Sequence, residues 1–470
     1  MRINYLPVGV LVLSLCACAS ITPHNGTLSG VDVPGEWSQS PESGVTDVTS
    51  LVNWWRYFDD PLLSTLITRA LVNNTTVKGA RAALQQVRAL RDVTAAGLLP
   101  SVGSSASAQR SRNGDVSGNS FRAGLDANWE LDVFGANRSA VNAADATALA
   151  SAASLGDVQV SIAAEVALNY IALRSAQARL AIASDNLTSQ SETLQITQWR
   201  LQAGLVSSLE DEQARAATDQ TRAQLPALQT TIAQTRHALA VLTGQAPAAL
   251  SAVLTDDGPL PQASAELALL IPAEVLRQRS DVRAAEYQVQ AAVARVAQAD
   301  AARAPSFKLG GSLGLNALTL GALTDGASLA AAVLADVTWP VFDGGAARAQ
   351  VRGQQAALEQ ANSAYQATVL TALTDVEDAL VALRGDRARL ALLQSAAASA
   401  NAAAQLASQR YGSGLVDFQT VLETQRTRLG SQDSVAVTLA AVSADHVRLY
   451  KALGGGWQQD SSAALPLPRQ

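Results

Sequence analysis

Hydrophobic residues recur at heptad spacing along two long stretches of the chain. The first stretch, from about Asn137 to Arg200, contains no proline. Its heptad positions are Val166, Leu173, Leu180, Leu187, Leu194 and Leu201. In the second stretch, steps of four and three alternate, apart from Arg387, through Val369, Leu373, Val376, Leu380, Leu383 and Leu390. This spacing is typical of coiled-coil helices. We predict two helices of about 60 residues, each roughly 90 Å long at about 1.5 Å per residue.

Each long helix is expected to end at a glycine turn and to be followed by a shorter return helix. Gly204 and Gly414 mark the turns, and the return helices run to about Leu242 and Leu453. Shorter helical patterns over 62–98 and 273–303 come earlier in each half. Glycine at a helix end favours a turn with positive φ.

Two pairs of alternating segments precede the long helices. The clearest apolar set is Phe121, Ala123, Leu125, Ala127, Trp129 and Leu131, with Arg122, Gly124, Asp126, Asn128 and Glu130 between them. Its partner carries Val102, Ser104, Ala106 and Ala108. The second pair carries Phe307, Leu309, Gly311, Leu313 and Leu315, and then Leu329, Ala331, Val333, Ala335, Val337 and Trp339. Runs of about 9 to 11 residues fit tilted membrane strands, with Trp129 and Trp339 as membrane-interface aromatics. Soluble hairpins packed on a core fit these segments equally well.

The two halves are related by a tandem duplication. The segment Trp129-Glu-Leu-Asp-Val-Phe-Gly-Ala-Asn-Arg138 resembles Trp339-Pro-Val-Phe-Asp-Gly-Gly-Ala-Ala-Arg348, with an offset of 210 between the tryptophans. The segments that begin at Arg200 and Arg410 match at the same offset of 210. Two separate matches at one offset indicate a repeat of the order short helix, β-hairpin, long helix and return helix.

Composition excludes several classes of protein. The net charge is −6, with 48% hydrophobic and 16% charged residues. A nucleic-acid partner is not expected because such proteins carry a basic face, and a disordered chain would be less apolar. Both cysteines, Cys16 and Cys18, lie near the start of the chain, so no thiol is available for catalysis in its body. The histidines, His24, His237 and His446, are too scattered for a metal cluster and are expected at solvated or helix-surface positions.

The first residues have the pattern of an export signal. Arg2 precedes a short apolar run, and the run closes with Leu15-Cys16-Ala17-Cys18. This ending looks like a bacterial lipoprotein box, which predicts cleavage after Ala17 and covalent lipid on Cys18. Ala19 follows, where an aspartate would resemble an inner-membrane retention signal, so the outer membrane is the predicted address. Plain secretion with an incidental cysteine is the alternative.

Beyond Cys18 the sequence contains no apolar run of 18 residues or more. If the chain crosses a membrane, it is therefore expected to do so as a closed β-barrel. Four strands cannot close a barrel with a useful lumen, so we predict a ring of identical subunits. The long helices would then continue the pore below the membrane.

The predicted organisation comprises two repeats between terminal segments. Residues 1–17 form the signal peptide and 18–60 the lipidated N-terminal segment. The first repeat is 61–243, with a β-hairpin at about 99–133 and a helical hairpin at about 137–242, and a linker and equatorial region follows at 244–271. The second repeat is 272–457, with a β-hairpin at about 305–342 and a helical hairpin at about 345–453, and 458–470 is the C-terminal tail.

Five motifs resemble one family across nearly the whole mature chain. They are Trp54-Trp55-Arg-Tyr-Phe-Asp-Asp-Pro61, the segment Ile271 to Glu286, the two segments repeated at offset 210, and Leu449-Tyr-Lys-Ala-Leu-Gly-Gly-Gly-Trp457. The chain is similar to outer-membrane factors of the TolC-like family, in its NodT-type lipoprotein branch. The resemblance implies a mainly α fold with a membrane β part, in a homotrimer whose 12-stranded β-barrel continues into a 12-helix α-barrel. It implies an efflux exit duct that works with a periplasmic adaptor and an inner-membrane resistance-nodulation-division transporter, in the outer membrane of a Gram-negative bacterium.

The resemblance also implies site residues. The periplasmic gate would lie at Asp417, Gln419, Thr420 and Glu423. Gln419 stands where related channels often have leucine, and Thr420 where some have aspartate. A ring of Glu423 carboxylates would favour cations, and the alternative is an ion pair of Glu423 with Arg426 or Arg428. Adaptor contact is expected at Gly204, Leu205, Val206, Gly414, Leu415 and Val416, unless these turns only cap their helices.

Three other functions compete with the efflux duct. The first is a type I secretion duct, which the same architecture would serve. The second is a lipid-anchored periplasmic coiled-coil scaffold, which leaves the hairpins unexplained. The third is an enzyme, since Gly310-Gly-Ser312-Leu-Gly314 fits the G-x-S-x-G pattern. That motif lies in an alternating strand with no helix following at once, so no enzymatic activity and no cofactor are predicted.

Overall fold

The computed structural model describes residues 48–254, 258–263 and 273–457. The elements of this part are α1 (Pro61–Asn73), α2 (Thr75–Ala96), β1 (Ser101–Asn113), β2 (Val116–Leu131), α3 (Ala136–Gln202), α4 (Ser208–Leu242), α5 (Ser280–Ala301), β3 (Ser306–Ala317), β4 (Leu329–Thr338), α6 (Ala346–Gly412) and α7 (Phe418–Ala452). The mainly α fold with two repeats of the predicted order is confirmed. Cys18, the signal peptide, the tail and part of the linker (255–257 and 264–271) lie outside the described residues.

The chain divides into two compact units. One contains Arg91–Asp145 and Val289–Asn362, and therefore the whole sheet. The other contains the described residues of Val31–Leu90, Ala146–Gln288 and Ser363–Gln470. None of the described helices is both long enough and apolar enough to span a bilayer.

The four strands form one antiparallel sheet in the order β1-β2-β3-β4. Ser101 lies opposite Asn128 in the first hairpin, and Ser306 lies opposite Thr338 in the second. Strands β2 and β3 join the hairpins, with Phe121 opposite Ala317. The sheet thus keeps chain order although three helices, α3, α4 and α5, separate β2 from β3 in the sequence.

The predicted alternation matches the pairing of the strands. Leu125 pairs with Leu313, and Ala127 pairs with Gly311, so apolar residues of both hairpins share one face. On the other face Gly124 lies opposite Gly314, and a Cβ on Gly124 would come within 3.1 Å of the Gly314 Cα. Ser312 lies inside β3 and pairs with Asp126. The G-x-S-x-G motif is therefore part of a continuous strand, without the strand-to-helix turn that a nucleophilic serine needs.

An aspartate shortly before the start of each long helix accepts backbone hydrogen bonds. The Asp132 carboxylate accepts from the backbone N–H groups of Asn137 and Arg138, both at 2.9 Å. Asp343 accepts from Gly345 at 2.8 Å and from Ala347 at 2.7 Å. These bonds satisfy N–H groups that have no partner inside the helix. Helices α3 and α6 then run for 67 residues each, about 100 Å at about 1.5 Å per residue.

The predicted hydrophobic seam is mostly buried in α6 and mostly half-buried in α3. In α6, Val369, Val376, Leu380 and Leu383 are buried, and Leu373 and Leu390 are half-buried. In α3, Val166 and Leu173 are buried, but Leu180, Leu187, Leu194 and Leu201 are only half-buried. The buried stripe of this half of α3 is polar instead, and consists of Asn186, Gln190, Thr193 and Thr197. Within one chain, these polar side chains are therefore more deeply buried than the heptad leucines beside them.

The core of the second unit joins three of the resemblance motifs, those that contain Trp54, Arg279 and Tyr450. Trp54 is fully buried and stacks on Tyr450, with 5.6 Å between ring centroids. The Arg279 guanidinium pairs with Asp281 at 2.8 Å and Asp375 at 3.1 Å, and donates to the Ala452 carbonyl at 2.6 Å. Packing accounts for these three segments, because their residues contact one another in the core.

Candidate gate at the helical turns

The two turns between long and return helices have the same backbone geometry. Gly204 and Gly414 have φ of 72° and 75°. The Leu205 N–H donates to the Arg200 carbonyl at 2.8 Å, and the Leu415 N–H donates to the Arg410 carbonyl at 2.9 Å. This is the Schellman arrangement, in which glycine adopts the left-handed conformation that other residues avoid.

The residues after each glycine divide into an exposed and a packed position. Leu205 is 73% exposed and Leu415 is 74% exposed. Val206 and Val416 are half-buried, and Val416 packs against a small cluster that includes Tyr411. Each turn therefore exposes its leucine and half-buries its valine. Adaptor contact by these six residues stays a prediction.

Arg200 joins the two turns. Its guanidinium lies over the Tyr411 ring, 4.4 Å from the centroid. It also donates to the carbonyls of Tyr411 at 3.0 Å and Gly412 at 3.3 Å. Since the carbonyls at a helix C-terminus carry partial negative charge, the cation stabilises the end of α6 while it anchors α3.

Asp417 caps the helix that carries the predicted gate. Its carboxylate accepts hydrogen bonds from the hydroxyl of Thr420 and from the Thr420 backbone N–H, the latter at 2.9 Å. The hydrogen bond from the Thr420 hydroxyl, and to a smaller extent the one from its backbone N–H, hold the pKa of Asp417 below its ordinary value. Asp417 therefore stays ionised, and both residues have a structural role at the start of α7.

Gln419, Thr420 and Glu423 lie on the exposed side of α7. Phe418, Val421 and Leu422 occupy the opposite, buried side. Within the described chain Glu423 forms no ion pair with Arg426 or Arg428. Arg428 donates instead to the Asn186 side chain at 2.9 Å. The proposed pairing alternative is thus absent from the single chain, and the gate itself stays a prediction.

A ladder of polar contacts joins α3 to α7 and was not foreseen from the sequence. Arg179 pairs with Asp433 at 2.6 Å, Asn186 donates to Gln432 at 2.9 Å, and Gln425 donates to Thr193 at 2.9 Å. On α3 these residues are seven apart, and Arg200 continues the series. Each of these α3 residues immediately precedes a leucine of the hydrophobic heptad. A second heptad of polar residues in the sequence could therefore have predicted these contacts.

His446 lies in the core of the second unit, not at the solvated or helix-surface position expected for it. The residue is 2% exposed, and its Nε2 lies 3.0 Å from the Arg387 guanidinium. Burial, and to a smaller extent the positive charge of Arg387, lower the pKa of His446 to about 4. Burial raises the pKa of its neighbour Asp445, against the opposing effect of Arg448. Both shifts follow from the cost of placing charge away from water.

The two predicted interface tryptophans lie at the same end of the sheet. Trp129 is near the end of β2, and its indole Nε1 donates to the Leu98 carbonyl at 3.0 Å. Trp339 follows β4 and is more exposed than Trp129. Their role at a membrane interface stays a prediction.

Comparison with known proteins assigns the chain to a family. A model of the outer membrane efflux protein family matches residues 66–245 and 271–455. The pyoverdine export outer membrane protein OpmQ of Pseudomonas putida is 34% identical over 469 residues, which cover 96% of this chain and 97% of OpmQ. The outer membrane protein OprJ of Pseudomonas aeruginosa is 29% identical over 465 residues, 97% of this chain and 96% of OprJ.

Solved structures agree with this match. The structure of the outer-membrane channel OprN has a TM-score of 0.83 and 33% identity, and covers 91% of this chain and 100% of its own. The chain belongs to the outer membrane efflux protein family. It is an outer-membrane component of an efflux system. This membership favours a channel over the scaffold alternative and over an enzyme.

Proposed function

We propose that three copies of this chain form a passive exit duct across the periplasm and the outer membrane. The observation that carries the proposal is the match to outer-membrane channels over nearly the whole chain, combined with two 67-residue helices and an amphipathic sheet. Three copies would supply twelve strands and the long helices of a continuous tube. A duct of this kind needs no covalent chemistry, so we propose neither enzymatic activity nor a cofactor.

The turns are proposed as the contact with a periplasmic adaptor. Leu205 and Leu415 are exposed apolar residues on rigid, glycine-ended turns. Exposed leucines at such rigid positions are suited to a partner that buries them. The adaptor would couple the duct to an inner-membrane transporter of the resistance-nodulation-division class, which supplies the energy.

Glu423, Gln419 and Thr420 are proposed to line the narrow periplasmic end. They share the exposed side of α7, and Asp417 fixes the start of that helix. Three Glu423 carboxylates around one axis would attract cations and oppose anions. The gate would open when the helices of the turns move apart.

Covalent lipid on Cys18 is proposed as an additional anchor in the outer-membrane lipids. The support is the lipoprotein-like ending at Leu15-Cys16-Ala17-Cys18. Several acyl chains would bind stably, since each buried methylene contributes about 0.8 kcal/mol.

Efflux of small molecules is favoured over protein secretion. OpmQ is named for pyoverdine export, and another relative, TtgF of Pseudomonas putida, is named for toluene efflux. We therefore propose drugs, toxic compounds or similar small molecules as cargo.

Export from living cells tests this function. In a host strain that lacks the chain, a panel of dyes and antibiotics is expected to accumulate, and wild-type protein should restore export. A Cys18→Ala variant is expected to restore it only in part, because the anchor is lost. Unchanged accumulation across the panel, together with loss of a secreted protein from the medium, would establish a secretion duct in place of efflux.

A further inference from the structure

The two faces of the sheet carry different charges. The apolar face consists of the alternate strand residues that lie on the same side as Leu125 and Leu313. The carboxylates of the four described strands all lie on the opposite face, and they are Asp126, Glu130 and Asp336. The strand residues therefore give the apolar face no negative charge of its own.

Two arginines lie on the apolar face. Arg110 and Arg112 are the only charged residues on this face among the strand residues that the structure describes. Both belong to β1, in which the preceding positions of the same face, 102, 104, 106 and 108, are valine, serine and two alanines. Opposite the arginines, β2 places Asn119 and Ser117, which are polar and uncharged. The face thus changes from apolar to basic within one step of β1.

The apolar part of this face has the height of a bilayer core. On β2 it extends from Leu131 to Phe121, ten residues further along the strand, which is about 34 Å. A strand tilt of about 40° reduces this length to roughly 25 Å, the height of the apolar band of membrane strands. Phe121 lies opposite Ala108. Arg110 is therefore the first residue of β1 beyond the band on this face.

The arginines lie at the end of the sheet where β1 turns into β2. The turn at Gly114 follows Arg112 closely, whereas α3 begins at Ala136, after the other end of β2. The inference rests on the proposed function at this step, because the proposed duct places the long helices in the periplasm. The turn end then faces out of the cell. The outer leaflet there is rich in lipopolysaccharide, a lipid whose headgroup carries phosphate groups.

We propose that Arg110 and Arg112 form a binding site for the phosphorylated headgroup of lipopolysaccharide. A guanidinium suits this ligand because it donates to two phosphate oxygens at once. Among the described residues neither guanidinium pairs with a carboxylate. The Arg112 Nε donates to the Gly114 carbonyl at 3.2 Å. This bond holds the side chain at the turn and leaves its two terminal nitrogens for the phosphate.

The same face offers a surface for the acyl chains of the lipid. A groove of about 380 Å³ lies on it, and its lining includes Val102, Leu125, Gly311, Leu313 and Val333. Gly311 and Ala331 lower the surface there, because they are smaller than the leucines beside them. A lipid whose phosphates bind the two arginines therefore has apolar surface for its chains on the same face.

Binding of lipid A to the purified full-length oligomer tests the proposal. Lipid A, the phosphorylated and acylated part of lipopolysaccharide, is titrated and the bound molecules are counted by native mass spectrometry. Each arginine near an anionic lipid surface contributes roughly fivefold in affinity, so Arg110→Ser with Arg112→Ser is expected to raise the Kd about 25-fold. Dephosphorylated lipid A should bind the wild-type oligomer as weakly as intact lipid A binds this variant, and that comparison needs no substitution.

Arg122→Ser is the matched control. Arg122 belongs to the same hairpin but lies on the other face, opposite Ser107. Its replacement removes a positive charge from the hairpin and should leave the Kd for lipid A unchanged. Arg110→Lys with Arg112→Lys keeps both charges and should weaken binding less than the double serine variant does. Inorganic phosphate at millimolar concentration should not displace lipid A.

The contrary outcomes separate the site from the duct. Equal binding by wild type and the double serine variant overturns the site, and so does an equal loss in Arg122→Ser. Equal binding of dephosphorylated and intact lipid A by the wild type overturns it as well, and displacement by inorganic phosphate would assign the arginines to free phosphate. Conducting oligomers that bind no lipid A count against the site alone. Lipid A bound to a folded oligomer that never conducts counts against the duct alone.

Discussion

At the residue scale, burial decides which side chains carry the fold. His446 and Asp445 are ionisable groups placed in a core with Tyr450 and Trp54. Gly156 allows the Trp457 indole to pack against α3, because it lacks a side chain. A Cβ at this position would lie 2.4 Å from the indole nitrogen. Sequence patterns cannot reveal such positions, because a histidine or glycine in a helix has the same spacing whether its face is covered or open.

His446 makes stability depend on pH. Its pKa is about 4 in the folded chain and near 6.5 when unfolded, so the unfolded chain binds more protons between these values. Stability should therefore fall as pH drops from about 6.5 towards 4, with Asp445 acting in the opposite direction. We expect the Tm of His446→Gln to fall less over this range than that of wild type. His237→Gln, at an exposed position, should behave as wild type, and equal pH profiles for all three proteins would refute the assignment.

Gly156→Ala should displace Trp457. Overpacking of this kind costs about 1–3 kcal/mol, which thermal unfolding would register as a lower Tm. Gly353→Ala provides the control, because Gly353 lies in α6 with nothing within 4 Å of its Cβ position. There alanine should stabilise the helix by up to about 1 kcal/mol. Similar Tm changes for both variants would show that the Trp457 indole does not pack against Gly156.

At the element scale, the sequence predicted helices, hairpins and their order better than it predicted what they contact. The heptads and alternations are local, so they identify α3, α6 and the strands directly. The β2·β3 pairing joins residues far apart in the chain, and no local pattern specifies it. Asn186, Thr193 and Gln425 were not chosen as contact residues, because polar residues on a helix are taken as solvent-facing unless a partner helix is known.

The polar ladder is expected to hold α7 against α3. Replacing Arg179 by Met and Asp433 by Asn, singly and together, should reveal a coupling of about 0.5 kcal/mol in a double-mutant cycle of unfolding, since both side chains are partly exposed. The variants should also conduct more in the resting channel, because the gate helix is freed. Arg222→Met, which breaks a pair between Arg222 and Asp219 within α4, should not alter conductance. Unchanged conductance in the ladder variants would limit the ladder to stability.

At the scale of the whole molecule, the repeat explains both the similarity and the difference between the two halves. The turns at Gly204 and Gly414 have the same hydrogen bonds, while the gate residues are proposed only after the second turn. The position of the candidate gate was predicted from the family resemblance, and the turns were predicted from the glycines at the helix ends. The capping role of Asp417 and the link through Arg200 required the fold, because both depend on atoms brought together by the turn.

The exposed leucines of the turns should be needed for export but not for assembly. Leu205→Ser with Leu415→Ser is expected to restore export several-fold less well than wild type, because the adaptor loses its apolar contact. Trimer yield and Tm should be unchanged, since both side chains lie in solvent. Leu392→Ser, at an equally exposed position in α6, serves as the control. Full export by the double variant would exclude these leucines from the adaptor contact.

Single-channel conductance of the purified oligomer in planar bilayers tests the exit duct most directly. We predict that the wild-type oligomer inserts and conducts with a preference for cations, and that Glu423→Ala weakens this preference and raises the open fraction. Glu192→Ala, which removes an exposed carboxylate of α3, should match wild type. A folded oligomer that stays silent in wild type and in Glu423→Ala alike would contradict the duct.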